Sequence, residues 1–260
     1  MKLIRLFLGI VSVSLQREAA HRGNVVFQAL LAAVSVFAGL ATLRVIFSFT
    51  ASLAGWTLDE TVVLYGTFLI VSGVMGAFVE PNLGFFAGRL RSGDFDDVLL
   101  QPVPSLFLAT LATCSPWALL TALLGVGTLG VGVANLGDSV TVLGGLTYGL
   151  LLGAGVVVAW ASRVLLAALA FWAPGLEPSI FYGAFWQLGS YPVSIYSPPV
   201  RAVLTSVVPV AFIATVPARA LTRTGDLGLV AGGMVAAVVA FALAVLVWGA
   251  GLRRYTSATS

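Results

Sequence analysis

The chain has 260 residues, 59% of them apolar, with 13 Lys or Arg, 10 Asp or Glu and a net charge of +3. A mean hydropathy of +1.05 lies far above soluble domains, of which roughly 45–50% is apolar, and excludes a water-soluble globule. One Cys (Cys114), one His (His21) and one Lys (Lys2) exclude an intrachain disulfide, a Cys/His metal cluster and a Walker A phosphate loop, so no metal is expected and any ATP must be handled elsewhere.

Residues 1–23 are expected to form an amphipathic helix in the membrane interface. Leu3, Leu6, Phe7, Ile10 and Val13 share one face, with Arg5, Ser12 and Gln16 opposite. Lys2 and Arg5 before an apolar core imitate a signal peptide, but the core runs into Gln16, Arg17 and Glu18 without a small-x-small cleavage site. Residues 24–254 read as one membrane domain, followed by a tail at 255–260, because uncharged runs able to cross about 30 Å of hydrocarbon recur throughout.

Span one is predicted from Val25 to Leu43, stopped by Arg44. Span two, Thr61 to Val79, is announced by Thr57 and Glu60 at capping-box spacing and closed by Glu80 and Pro81. The loop 81–104 follows. In it Ser92 and Gly93 end the helical extension of span two, Asp94 caps a helix of about two turns with Asp96 and Asp97 in its first turn, and Pro102 and Pro104 end it. Phe95 and Leu99, four apart, would present an apolar ridge to a soluble partner, the alternative being an ordinary solvated loop. Adjacent Asp96 and Asp97 point about 100° apart on a helix and make no acid/base dyad, so no enzymatic site is expected.

Span three runs from Leu106 to Val133, kinked at Pro116, with a turn at Asn135 to Asp138, and span four from Val140 to Trp172. Gly228 to Gly249 is the last span, followed by Arg253 and Arg254. With the amino terminus inside, Lys2, Arg5, Arg17, Arg22, Arg89, Arg91, Arg253 and Arg254 are cytoplasmic against Arg44, Arg201, Arg219 and Arg223 outside, which favours both termini in the cytoplasm. Charges at span ends are topology signals, and no nucleic-acid partner is expected. An even number of crossings then requires one between spans four and six. It is assigned to a span five from about Ser179, followed by a re-entrant excursion from the outer face over about 197–221, rich in proline.

Three further features carry alternatives. Arg163 lies at membrane depth and must snorkel, pair with Glu80 or Glu177, or serve a gate or substrate. Gly145, Gly149 and Gly153 offer a smooth helix face, expected to pack within the subunit, with a subunit interface as the alternative. Phe181, Phe185 and Trp186 are core or interface aromatics, or line a pathway for an apolar or aromatic cargo.

The stretches "LRSGDFDDVLLQPVP" and "YPVSIYSPPVRAVLTSVVPVAFIATVPARAL" resemble the ABC-2 type (type-2 ATP-binding-cassette) permease family, in its branch of six-span proteins related to drug and viologen exporters. Gln101 departs from that family's pattern, which has a basic residue before the proline. The resemblance implies an all-α, six-span permease subunit of a bacterial plasma-membrane exporter that binds no cofactor itself. Two partner ABC ATPases would hold ATP and Mg, coupled through Arg91, Gly93, Asp94, Phe95, Asp96, Asp97 and Leu99. It also implies a second permease subunit, identical or related. The expected cargo is a hydrophobic or amphiphilic small molecule, drug-like or lipid-like. A secondary carrier and a membrane-embedded enzyme or scaffold are the alternatives, the first disfavoured by the lack of a central acid in the spans.

Overall fold

The computed structural model describes residues 2–19, 22–137, 140–176, 179–206, 209–223 and 227–255. The chain is an all-α integral membrane protein, and no strand occurs among the described residues. Helix α1, Lys2–Ala19, leans on the bundle through Phe7, whose ring lies 5.4 Å from that of Phe78. Helix α2, Arg22–Phe49, continues through Arg44 to Phe49 instead of stopping at that arginine. A single long cation near a helix end can reach the interface along its own stem, so it marks the membrane edge without ending the hydrogen-bond ladder.

Helix α3, Leu58–Phe78, starts as its capping box predicts. The Glu60 amide donates to Thr57 Oγ1 at 3.3 Å, and the Thr57 amide donates to Glu60 Oε2 at 2.9 Å. Short helices α4 (Glu80–Leu83), α5 (Phe86–Ser92), α6 (Asp96–Leu99) and α7 (Ser105–Leu111) carry the chain to α8, Ala118–Leu136. Span three is thus broken, not kinked, between α7 and α8. Backbone groups freed at such a break have no water to turn to in a membrane, so protein must satisfy them. Buried Asn82 does this: its Nδ2 reaches the carbonyls of Phe78, Thr110 and Thr113 at 2.7, 3.0 and 2.7 Å, and its Oδ1 accepts from the Thr113 amide at 2.9 Å.

Helices α3 and α8 approach through glycines. A Cβ added at Gly66 would fall 2.6 Å from the Leu129 nitrogen, and one at Gly125 would fall 2.7 Å from the Ile70 nitrogen. Both intruders meet backbone, which cannot rotate away, so the helices would have to separate. Gly66→Ala and Gly125→Ala are each expected to cost about 1–3 kcal/mol, read as a lower unfolding midpoint, with Gly127→Ala as a silent control because nothing lies within 4 Å of its Cβ position.

Helix α9, Val142–Ala168, is capped by Thr141, which accepts from the Gly144 amide at 3.1 Å, and ends in a 3-10 turn at Leu169–Phe171. Gly145, Gly149 and Gly153 have no atoms within 4 Å of their Cβ positions and do not pack within the subunit. The expectation of intrasubunit packing is corrected here. The glycines of α9 that do make close contacts are Gly144 and Gly155, about three turns apart on a single different face.

Helix α10, Ser179–Gln187, has nine residues, about 13 Å, and is too short to be the span five expected from Ser179. Pro192 and Pro198 interrupt the chain beyond it. Helix α11, Pro198–Ser206, and the segment Val210–Thr222, which contains α12 (Thr215–Thr222), follow at a bend of 71°. This pair falls on the stretch assigned to the re-entrant excursion and is, by length and composition, either one broken span or a re-entrant loop. The Phe212 carbonyl is 2.7 Å from the Cβ position of Gly155 and the Leu221 carbonyl 3.3 Å from that of Gly144, so α12 runs antiparallel along the first half of α9. Helix α13, Leu227–Arg254, closes the bundle. The long apolar helices are therefore α2, α3, α8, α9 and α13, with the bent pair as the sixth candidate.

Candidate coupling site

Glycine 93 ends α5 in the left-handed region, with φ of +82°, a conformation that side chains with a Cβ disfavour. The reversal that follows differs from expectation in two ways. Asp94 does not cap α6, because its Oδ2 accepts from Ser92 Oγ at 2.6 Å, and α6 is a single turn instead of two. Phe95 is 0% exposed. It faces inward, so no outward ridge of Phe95 and Leu99 exists.

Phe95 fills an aromatic cage drawn from the far ends of three elements. Its ring centroid lies 5.2 Å from Phe86 on α5, 5.9 Å from Phe171 after α9, 6.0 Å from Trp248 on α13 and 5.6 Å from Tyr255. Mostly edge-on, such contacts add about 0.5–1.5 kcal/mol per pair beyond burial. Two polar ties flank the cage. Tyr255 donates to Asp96 Oδ1 at 3.0 Å, and Arg91 Nη1 donates to the Pro174 carbonyl at 2.7 Å. Burial first, and then the Asp96 carboxylate, raise the Tyr255 pKa above its ordinary 10.0. The neutral, donating form is therefore favoured in the fold. The tie is complete below pH 10.0 and weakens as pH rises through the raised value, which ultraviolet titration of phenolate would follow against Tyr255→Phe.

The outward surface consists of other residues. Leu99 is 43% and Leu100 83% exposed, with Asp94, Asp97, Gln101 and Pro102 exposed around them. Two consecutive exposed leucines on a knob anchored from beneath form a compact apolar tip inside an acidic and polar rim, the arrangement a protein partner buries.

Beside the knob, Arg163 of α9 and Glu80 of α4 form a bidentate pair. Nε meets Oε1 and Nη2 meets Oε2, both at 2.7 Å. Arg163 is 4% exposed by side chain and Glu80 40%. The guanidinium carbon also lies 5.0 Å from the ring centre of Tyr182, whose hydroxyl shares a 3.1 Å hydrogen bond with Ser162. Of the two partners expected for Arg163, Glu80 takes the role, and Glu177 lies outside the described residues. Trp186 donates from Nε1 to Ser72 Oγ at 2.9 Å and packs 6.0 Å from Phe68, fastening α10 to α3. Phe185 packs against the same core, and the side chain of Phe181 lies outside the described residues. Among the described residues no group of three His, Cys, Asp or Glu could hold a metal.

A family model described as ABC-2 family transporter protein matches residues 33–259. The chain belongs to the ABC-2 transporter family. No curated protein and no solved structure matches it. The ABC-2 chain is accordingly a multi-pass membrane permease component of an ABC transporter, and this membership implies an ABC ATPase partner.

Two of the cavities formed by the described residues lie beside this region of the permease. One of about 500 Å³ lies between α9, α11 and α13, walled by residues such as Leu165, Leu166, Phe212 and Leu243, its polar groups being the hydroxyls of Ser162, Thr205 and Ser206. The other, about 270 Å³, joins Arg163 and Arg91 beside Gly84, and shares Leu166 with the first. Sequence reasoning missed Leu100, Asn82 and Tyr255. For Leu100 the signal was present, since it is apolar, beside Leu99 and next to a terminating proline. Asn82 and Tyr255 gave none, because their partners lie far along the chain.

Proposed function

We propose that this permease exports hydrophobic or amphiphilic small molecules from the cytoplasm or inner leaflet of a bacterial plasma membrane. It works with two ABC ATPase subunits and a second permease, identical or related, and both of its termini are cytoplasmic. ATP and Mg are held by the ATPases, and this chain holds no cofactor. The observation that carries the reading is Phe95 seated in a cage built from α5, α9 and α13, beneath the exposed Leu99 and Leu100. A push on the leucine tip reaches the ends of α9 and α13 together, as a rigid-body transition driven from a distant nucleotide site requires. The large cavity beside α9 supports an apolar cargo, since its walls carry hydroxyls but no charge.

Reconstitution into proteoliposomes with the copurified ATPase tests this. Movement of an amphipathic dye that depends on ATP, is abolished by a non-hydrolysable analogue and ignores an ion gradient is expected. Transport driven by a proton or sodium gradient without ATP would establish the secondary carrier instead.

A further inference from the structure

At the end of the bundle opposite α6, the turn between α2 and α3 carries a tryptophan in an unusual setting. Leu53 and Trp56 exchange backbone hydrogen bonds of 2.9 and 3.0 Å around Ala54 and Gly55, which hold positive φ of 51° and 81°. The turn drives the Trp56 side chain inward until it is wholly buried. Two arginines of one helical face cover its ring, with guanidinium carbons 5.7 Å (Arg219) and 5.4 Å (Arg223) from the ring centre. Both distances fall within the range in which a cation is attracted to an indole face.

Charge and hydrogen-bond accounting around this cluster does not close. Arg223 donates Nε to Glu60 Oε1 at 3.4 Å and Nη2 to the Gly55 carbonyl. Glu60 is already used by the cap of α3, where Oε2 accepts from the Thr57 amide. The neighbouring carboxylate, Asp59, accepts from Asn135 at 3.0 Å. Arg219 has no carboxylate partner among the described residues. Its Nε and the Trp56 Nε1 are both buried donors with no acceptor among the described residues. An unpaired buried donor is costly, more so when charged, and native structures leave few of them. Two in one cluster, beside two cations of which only Arg223 meets a carboxylate, suit a group with negative charge and several acceptor oxygens.

We propose that Arg219, together with Arg223 and Trp56, binds a phosphate group. Guanidinium matches phosphate in charge and in fork geometry, and phosphate offers enough oxygens to serve more than one donor. Arg219 is only partly buried and Arg223 is exposed, so the group can be reached from outside. A tryptophan and arginines at the end of membrane helices lie at the level of lipid head groups. In the proposed orientation this is the outer side, and the natural source is a phospholipid of the outer leaflet. Bound there, the phosphate ties the end of the bent α11–α12 pair to the α2–α3 turn. The site does not depend on the cargo or on the ATPase.

The test uses the full chain, delipidated in a maltoside detergent, with binding read by native mass spectrometry and thermal shift. The probes are phosphatidylglycerol, a diacylglycerol lacking phosphate, and inorganic phosphate. Phosphatidylglycerol is expected to bind and raise the unfolding midpoint, and diacylglycerol is not. Arg219→Gln weakens that binding about tenfold or more, Arg219→Lys recovers part of it, and Arg44→Gln, which removes another exposed arginine, leaves it unchanged. An Arg219-dependent response to inorganic phosphate alone would assign the same site to a free anion. Equal phosphatidylglycerol affinity in wild type and Arg219→Gln, or an equal loss in Arg44→Gln, overturns the proposal. Wild-type ATP-driven transport measured in parallel keeps this outcome separate from failure of the transport reading.

Discussion

Changing Leu99 and Leu100 together to glutamate is expected to strip the ABC ATPase from the purified permease while leaving its own unfolding midpoint nearly unchanged. Both side chains are exposed in the isolated subunit, so they contribute little to its core. Buried against a partner, each leucine is worth about 1.5–3 kcal/mol, and losing two weakens the complex by at least about a hundredfold. Phe95→Ala separates the surface of the knob from its foundation. It empties the centre of the aromatic cage, at a cost of about 3–5 kcal/mol, and lowers the unfolding midpoint as well as the coupling. Copurification of the ATPase and a thermal melt on the same preparations distinguish the two. A leucine-to-glutamate variant that retains its ATPase and its ATP-driven turnover would rule out this knob as the docking point.

The second large effect concerns Glu80 and Arg163, where the two halves of one ion pair are expected to respond unequally. Glu80→Ala leaves a guanidinium that is 4% exposed without its counter-charge, a loss of about 3–5 kcal/mol. Arg163→Met leaves a carboxylate that is 40% exposed and able to hydrate, at a cost on the order of 1 kcal/mol. The double variant Glu80→Gln with Arg163→Met is expected to be more stable than Glu80→Ala alone, because it leaves no buried charge. Reversible unfolding in mixed micelles measures all three. Equal losses for the two single variants would show that the pair is hydrated in the membrane.

Some of this was open to direct reading. Charged residues are so scarce here that Glu80, at the end of span two, was one of two acids open to Arg163 if it paired instead of snorkelling or serving a gate or substrate. The turn at Gly93 and the capping box of Thr57 and Glu60 followed from local backbone chemistry, in which a few neighbouring residues decide the outcome. Phe95 was misread because a one-turn helix has no periodicity to reveal its inner face. That face is decided by Phe171, Trp248 and Tyr255, which no local pattern connects to it. Gly145, Gly149 and Gly153 show the same limit, since spacing identifies a smooth face but not what it meets.

The sequence by itself determined that the protein lives in a membrane, about where α2, α3, α9 and α13 run and where α3 starts, because hydrophobic transfer and helix capping act over one span at a time. Only the tertiary structure decided that span three breaks around Asn82, that the expected fifth span is a half-helix followed by a bent pair, and that the turn after Gly93 stands on Phe95 and presents Leu99 and Leu100. Those outcomes depend on which helix ends come together in space, and inside a membrane each freed backbone group and each cation must be met by whatever the fold brings beside it.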